Sequence, residues 1–188
     1  MSIEPSGRRA SISWAPLSWA PLAWFTAAMV LVILSSNILV QTPVNHWLTW
    51  GAITYPFSFL VTDLANRYYG VRFARRVVYA GFVVALVLSA YYATPRIALA
   101  SGTAFLLAEL VDVQIFDRLR RSAWWQPPLV STLAGSALDT VVFFSLAFFA
   151  TDMPWVTLAL GDFGVKVALA LLTLLPFRAA LALVQPPG

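Results

Sequence analysis

Residues 128–150 read PLVSTLAGSALDTVVFFSLAFFA. One of these twenty-three residues is charged: Asp139, at the centre, eleven residues from either end. A membrane span needs about 20 mostly apolar residues, so the stretch is long enough to cross a bilayer as a helix. A charge at the bilayer centre costs about 2.5–3.5 kcal/mol on insertion scales. An aspartate is too short to reach the interface by snorkelling. Ser131, Gly135 and Asp139 recur every four residues, with Ser136 and Thr140 alongside and Phe143 one turn on. A small-polar stripe of this kind either packs helices closely or lines a cavity, and both readings stay open.

The rest of the chain has the same character. Its 188 residues are 60% apolar and 11% charged, where a soluble domain is about a quarter charged. That is too little polar surface to cover a water-soluble globule. An ordinary soluble enzyme, a disulfide-stapled secreted domain and a disordered tail are excluded. The absence of cysteine excludes disulfides, thiolate catalysis and cysteine-held metals. A single histidine, His46, excludes paired-His metal and haem sites. No P-loop, HExxH or GxSxG occurs. The expectation is a non-enzyme without cofactor, metal or nucleic-acid partner.

Apolar runs at 22–40, 47–65, 77–93, 97–116, 128–150 and 155–184 predict an all-α integral membrane protein with six transmembrane helices. They form one domain over 22–184, behind an interfacial leader at 1–21. The last run, thirty residues long, exceeds one span and either bends at Pro176 or lies partly along the interface. In the leader, Ser13-Trp14-Ala15-Pro16-Leu17 repeats as Ser18-Trp19-Ala20-Pro21-Leu22. Prolines five apart disfavour a helix there, and Trp14, Trp19 and Trp24 suit the membrane–water interface. Arg8-Arg9 resembles a twin-arginine export signal, but no small-residue cleavage site ends the apolar stretch that follows.

Outside the spans, ten arginines fall on one side: Arg8, Arg9, Arg67, Arg72, Arg75, Arg76, Arg118, Arg120, Arg121 and Arg178. Arg96 is alone on the other. By the positive-inside rule both termini are cytoplasmic and the number of spans is even. Arg118-Leu119-Arg120-Arg121 with Trp124-Trp125 reads as lipid-headgroup anchoring rather than a nucleic-acid patch. The small-residue stripes permit a homodimer.

Polar residues inside the spans are the candidate site. Glu109 and Asp112 are three apart and share a helix face. Asp162 and Lys166 are four apart and either pair with each other or face a solute. Asp139 either pairs with Lys166 or grips a ligand. Asp63 and Asp112 also read as boundary acids beside Arg67 and Arg118. Thr54-Tyr55-Pro56-Phe57-Ser58 places a proline near mid-membrane, either as a plain kink or as irregular backbone lining a cavity. Asn37 and Gln41, four apart, either cap the first span or meet an entering solute. Span interiors hold up to five acids against one lysine. Such a pocket suits protons, a cation or a partner rich in hydrogen-bond donors, and a purine-like base offers those donors with flat faces for stacking.

Several motifs in order resemble the queuosine precursor transporters of the vitamin-uptake group. Ser35-Ser36-Asn37 leads to Val40-Gln41, Pro43-Val44 and Thr49-Trp50-Gly51-Ala52. Tyr55-Pro56-Phe57-Ser58-Phe59-Leu60 precedes Thr62-Asp63-Leu64, Gly70 and Ala74-Arg75-Arg76. Asp112-Val113, Phe116, Arg118-Leu119-Arg120, Trp124-Trp125, Ser131-Thr132-Leu133, Asp139-Thr140, Phe143-Phe144, Asp162 and Lys166 follow. The likeness covers about residues 33–178. Many members carry an acid where this chain has Arg67; the branch it most resembles has arginine.

The resemblance implies a six-span protein of the bacterial inner (cytoplasmic) membrane that takes up 7-deazaguanines: the 7-cyano or 7-aminomethyl form, or queuine. Asp139 is then expected to receive the ring N–H and exocyclic amine, with Asp162 and Lys166 orienting the base or forming a switchable ion pair. Tyr55, Phe57 and Phe143 are candidates for stacking. Asn37, Gln41, Ser58, Glu109, Asp112, Ser136 and Thr140 complete the substrate-binding set. Two other functions fit the composition: a binding subunit that needs a separate ATP-driven module, and a membrane scaffold that moves nothing.

Overall fold

The computed structural model describes residues 19–39, 43–45, 48–92, 94–152 and 155–183. Among these it is helical apart from one short hairpin. In chain order the elements are α1 (Trp19–Leu39), β1 (Pro43–Asn45), β2 (Leu48–Thr49), α2 (Trp50–Thr54), α3 (Phe57–Tyr69), α4 (Val71–Tyr92), α5 (Pro95–Leu119), α6 (Gln126–Phe148) and α7 (Trp155–Leu183). β1 and β2 pair antiparallel, Pro43 opposite Thr49 and Asn45 opposite Leu48. The sequence pattern does not signal this hairpin. Pro43 lacks the N–H that would carry a helix onward.

α1, α5, α6 and α7 are long and apolar enough to cross a membrane, and the chain is a multi-pass membrane protein. The six apolar runs correspond to these four helices, to α4 and to the pair α2–α3. α4 is long, about 33 Å at 1.5 Å per residue, but it opens six residues before the expected span and takes in Arg72, Arg75 and Arg76. The second run is not one helix. It breaks at Tyr55-Pro56, and the Ser58 N–H is satisfied by the Tyr55 carbonyl at 2.9 Å. α3 has thirteen residues, about 20 Å. α1 starts at Trp19, inside the expected leader. Pro21 falls in its first turn, where backbone N–H groups have no intrahelical partner and proline costs little. The last run is a single helix with Pro176 inside it.

Local chemistry sets the remaining ends. The Thr94 hydroxyl accepts the Ile97 N–H, and Pro95 follows at the first helical position of α5. Gly70 separates α3 from α4 at φ 86° and ψ 172°, backbone that is essentially reserved for glycine. α6 packs tightly on α3 and α5 at Gly135. A Cβ there would stand 2.8 Å from the Phe59 ring and 3.1 Å from the Ala108 carbonyl oxygen.

α3 is central, touching α1, α4, α5, α6 and α7. Met29, Ile33, Phe73, Val77 and Phe105 form an apolar core among α1, α4 and α5. Elsewhere the distribution is inverted relative to a soluble protein. Asp63, Glu109, Asp112, Asp139 and Lys166 are buried, while Leu31, Val83, Val87, Leu99, Leu160 and Leu175 face outward. Apolar outside and ionisable inside is the arrangement a lipid solvent selects.

Candidate functional site

The buried charges gather where α3, α5, α6 and α7 meet. Lys166 is at the centre of one group. Its Nζ donates to Asp139 Oδ2 at 2.7 Å and to Thr140 Oγ1 at 3.1 Å, and pairs with Asp162 Oδ2 at 2.5 Å. Asp162 lies one turn before Lys166 on α7, so both reach α6 from the same face. Thr140 donates to Asp162 Oδ2 at 2.9 Å. Across the bundle, the Tyr55 hydroxyl donates to Asp139 Oδ1 at 3.0 Å. The break at Pro56 leaves Tyr55 in the turn between α2 and α3. Its ring packs edge-on against Phe59 and Phe105, with the Lys166 ammonium 5.7 Å from its centroid. Asp139 is 6% exposed and Lys166 4%. Of the two readings of Asp139, the structure displays the ion pair, widened into a group of two carboxylates on one ammonium.

Glu109 adjoins this group and is completely buried. Ser58 and Thr62 stand beside it, yet neither carboxylate oxygen has a hydrogen bond of good geometry among the described residues. The Ser58, Thr62 and Ser136 hydroxyls are buried and likewise make no hydrogen bond of good geometry among the described residues. Burying a carboxylate costs several kcal/mol, and two neutral hydroxyls in poor geometry offset little of it. Glu109 therefore holds a proton or waits for a donor-bearing guest.

Asp63 turns into the bundle and not toward Arg67, its neighbour in sequence. It is 2% exposed and accepts from Ser131 Oγ at 3.2 Å and Thr132 Oγ1 at 3.3 Å. Asp112 faces it from α5 and is fully buried. Neither acid pairs with the arginine near it in sequence. Arg67 donates to the Arg120 carbonyl at 3.1 Å, and Arg118 is exposed. The periodicity does carry a signal for the inward position: Ser58, Thr62 and Asn66 are four apart on α3, and Asp63 shares their face.

Beyond these acids the polar file ends in a latch. Asn66 Nδ2 donates to the Val113 carbonyl at 2.9 Å. Arg120 donates to the Asn66 carbonyl at 2.6 Å, to the Asn66 side chain, and to Asp117 Oδ1 at 3.2 Å. Arg120, expected at lipid headgroups, instead turns inward onto the last carbonyls of α3, where a helix C-terminus favours a cation. Arg178 lies over the Trp124 ring at 4.6 Å.

Of the sequence candidates, Tyr55, Ser58, Glu109, Asp112, Ser136, Asp139, Thr140, Asp162 and Lys166 converge in this interior. Phe57 does not join it, being 38% exposed. Phe143 packs its ring on Phe144 and Phe148 toward the far end of α6. The side chain of Asn37, and all of Gln41, lie outside the described residues.

Residues 49–181 match the family model described as "Putative vitamin uptake transporter". The chain is 37% identical over 181 residues to the queuosine precursor transporter of Escherichia coli (strain K12), covering 81% of this chain and 82% of that one. It is 31% identical to a probable queuosine precursor transporter of Haemophilus influenzae, covering 78% and 80%. A probable queuosine precursor transporter of Bacillus subtilis is 26% identical, covering 67% and 68%. No solved structure matches the chain. A membrane bundle with its carboxylates turned inward, matched to these relatives over most of its length, belongs to the vitamin uptake transporter family, a family of transporters and not of enzymes.

Proposed function

We propose that the protein imports queuosine precursors, 7-deazaguanines, across the bacterial inner membrane. In this reading six segments span the bilayer, with α4 and the α2–α3 pair added to the four long helices and both termini in the cytoplasm. Outward-facing Val83 and Val87 support lipid contact for α4. The arginine asymmetry supports the orientation.

The observation that carries the reading is Glu109, a sealed carboxylate with no hydrogen bond of good geometry among the described residues and only the Ser58 and Thr62 hydroxyls beside it, next to the Asp139–Lys166–Asp162 group. A deazaguanine presents a ring N–H and an exocyclic amine side by side. That pair matches one carboxylate in a bidentate, charge-assisted contact. Glu109 can accept it with only two neutral hydroxyls to displace, Ser58 and Thr62. Asp139 can accept donors once Tyr55 or Lys166 lets go, and Lys166 keeps Asp162 and Thr140 when it does. The group thus works as a switchable ion pair: the guest replaces one contact and the ammonium is never stranded. The Tyr55 ring, next to both acids, is placed to stack on the base.

Labelled 7-cyano-7-deazaguanine should enter proteoliposomes containing this chain alone, in competition with the aminomethyl form and with queuine. Glu109→Gln should cut uptake about tenfold to a hundredfold, the worth of a hydrogen bond to a charged group. Uptake only after an ATP-driven partner is added would favour the binding-subunit alternative. Normal uptake by Glu109→Gln at normal expression would remove Glu109 from the site.

A further inference from the structure

We infer that Asp63 and Asp112 form a proton-binding site, separate from the substrate group, that couples import to the proton gradient. The inference rests on the transport reading above but assigns these two acids a different task, which also takes Asp112 out of the substrate set.

Asp63 on α3 and Asp112 on α5 face each other in the bundle interior, 2% and 0% exposed. Asp63 uses Ser131 and Thr132 of α6 as donors. Ser131 stands beside both acids but has one hydroxyl proton, which lies 3.2 Å from Asp63, so it cannot serve the two at once, and Asp112 is left without a hydrogen bond of good geometry among the described residues. The close approach at Gly135 presses Asp112 against α6, with its Cβ 3.4 Å from where a glycine-replacing Cβ would stand. Two bare carboxylates cannot face each other in such a place without a shared proton or a cation.

The surroundings select the proton. On α5, Glu109 is the other charged group facing the pair. On α6 the facing groups are neutral hydroxyls. The α7 ammonium, Lys166, is held by Asp139 and Asp162. On α4, Arg75 bonds Gln114, and Arg72 and Arg76 are exposed. No group of three His, Cys, Asp or Glu side chains among the described residues is arranged to hold a metal ion. The hydroxyls of Ser58 and Thr62, fully buried beside Glu109, extend the polar file from the pair to the substrate group. A proton on Asp112 is thus sensed at Glu109, the acceptor proposed for the base. Proton and uncharged base bind together, cross together and are released together.

The test uses proteoliposomes containing the full chain and labelled, uncharged 7-cyano-7-deazaguanine, with the membrane voltage clamped. An inward gradient of about one pH unit should drive about tenfold accumulation per coupled proton. Asp63→Asn and Asp112→Asn should lose that accumulation while still exchanging internal for external base. At position 63 Asn keeps an acceptor oxygen for one of Ser131 and Thr132, and persisting exchange shows that the variants are folded. Wild-type exchange with no response to the pH gradient, or a response to sodium in its place, would overturn the inference and leave the transport reading standing. Accumulation by both variants at the wild-type level, or loss of exchange in Asp112→Asn with wild-type base binding abolished, would overturn it too. Absence of exchange in the wild type would sink the transport reading and the inference with it.

Discussion

Replacing Lys166 by methionine removes the single ammonium that serves two carboxylates, Asp139 buried and Asp162 half-buried, with little change in side-chain length. That ammonium sits 2.7 Å from Asp139 and 2.5 Å from Asp162. Removing one partner of a buried pair costs about 3–5 kcal/mol, because the other charge stays behind. The burden is uneven. The Asp162 side chain keeps 19% exposure against 9% for Asp139, and Thr140 still donates to Asp162. Lys166→Met is therefore expected to destabilise the protein by about 3–5 kcal/mol, mostly through Asp139. Asp139→Asn should cost less, about 1.5–3 kcal/mol, since it removes one charge-assisted hydrogen bond and leaves Lys166 paired with Asp162. Combining the two should recover about 1–3 kcal/mol relative to Lys166→Met alone, a coupling expected of residues that touch. Reversible unfolding in mixed micelles, followed by loss of helicity, reads all three. If Lys166→Met unfolds like the wild type, or Asp139→Asn is the more damaging of the two, the ammonium is not what holds this interior together.

Three further substitutions probe how the site is positioned. Gly70→Ala forces a side chain into the φ 86°, ψ 172° conformation between α3 and α4; the same unfolding assay should register a loss of about 1–3 kcal/mol. Gly135→Ala places a Cβ against the Ala108 carbonyl oxygen, which belongs to a helix backbone and cannot step aside; a cost of about 1–3 kcal/mol is expected, with slowed uptake in proteoliposomes because the acids on α5 and α6 move apart. Arg120→Lys keeps the charge but loses the planar fork that reaches Asn66 and Asp117 together; hydrogen exchange at the α3 C-terminus should speed up nearly as much as in Arg120→Ala.

The helices are largely legible in the sequence because their signal is long and local. Apolar runs mark α1, α5, α6 and α7 to within three residues at each end, and Pro56 announces the break that leaves Tyr55 in a turn. The start of α4 is less legible: Arg72, Arg75 and Arg76 end an apolar run but do not end a helix. The acids divide in the same way. Glu109 with Asp112, and Asp162 with Lys166, share a face by spacing alone. Asp63 is different, since its nearest arginine in sequence, Arg67, donates to the Arg120 carbonyl instead. Arg120 itself shows the same limit. Whether a basic residue at a helix end meets lipid or caps a neighbouring helix depends on which helix end lies beside it, and periodicity carries no information about that.

The central claim is that sealed carboxylates await the donor edge of a flat base. Its most direct measurement is equilibrium binding to the purified full chain of 7-cyano-7-deazaguanine and of the same base without its exocyclic amine. Loss of one hydrogen bond to a charged acceptor should weaken the second ligand about tenfold to a hundredfold, and Glu109→Gln should erase most of that difference. Equal affinity for the two bases would contradict it.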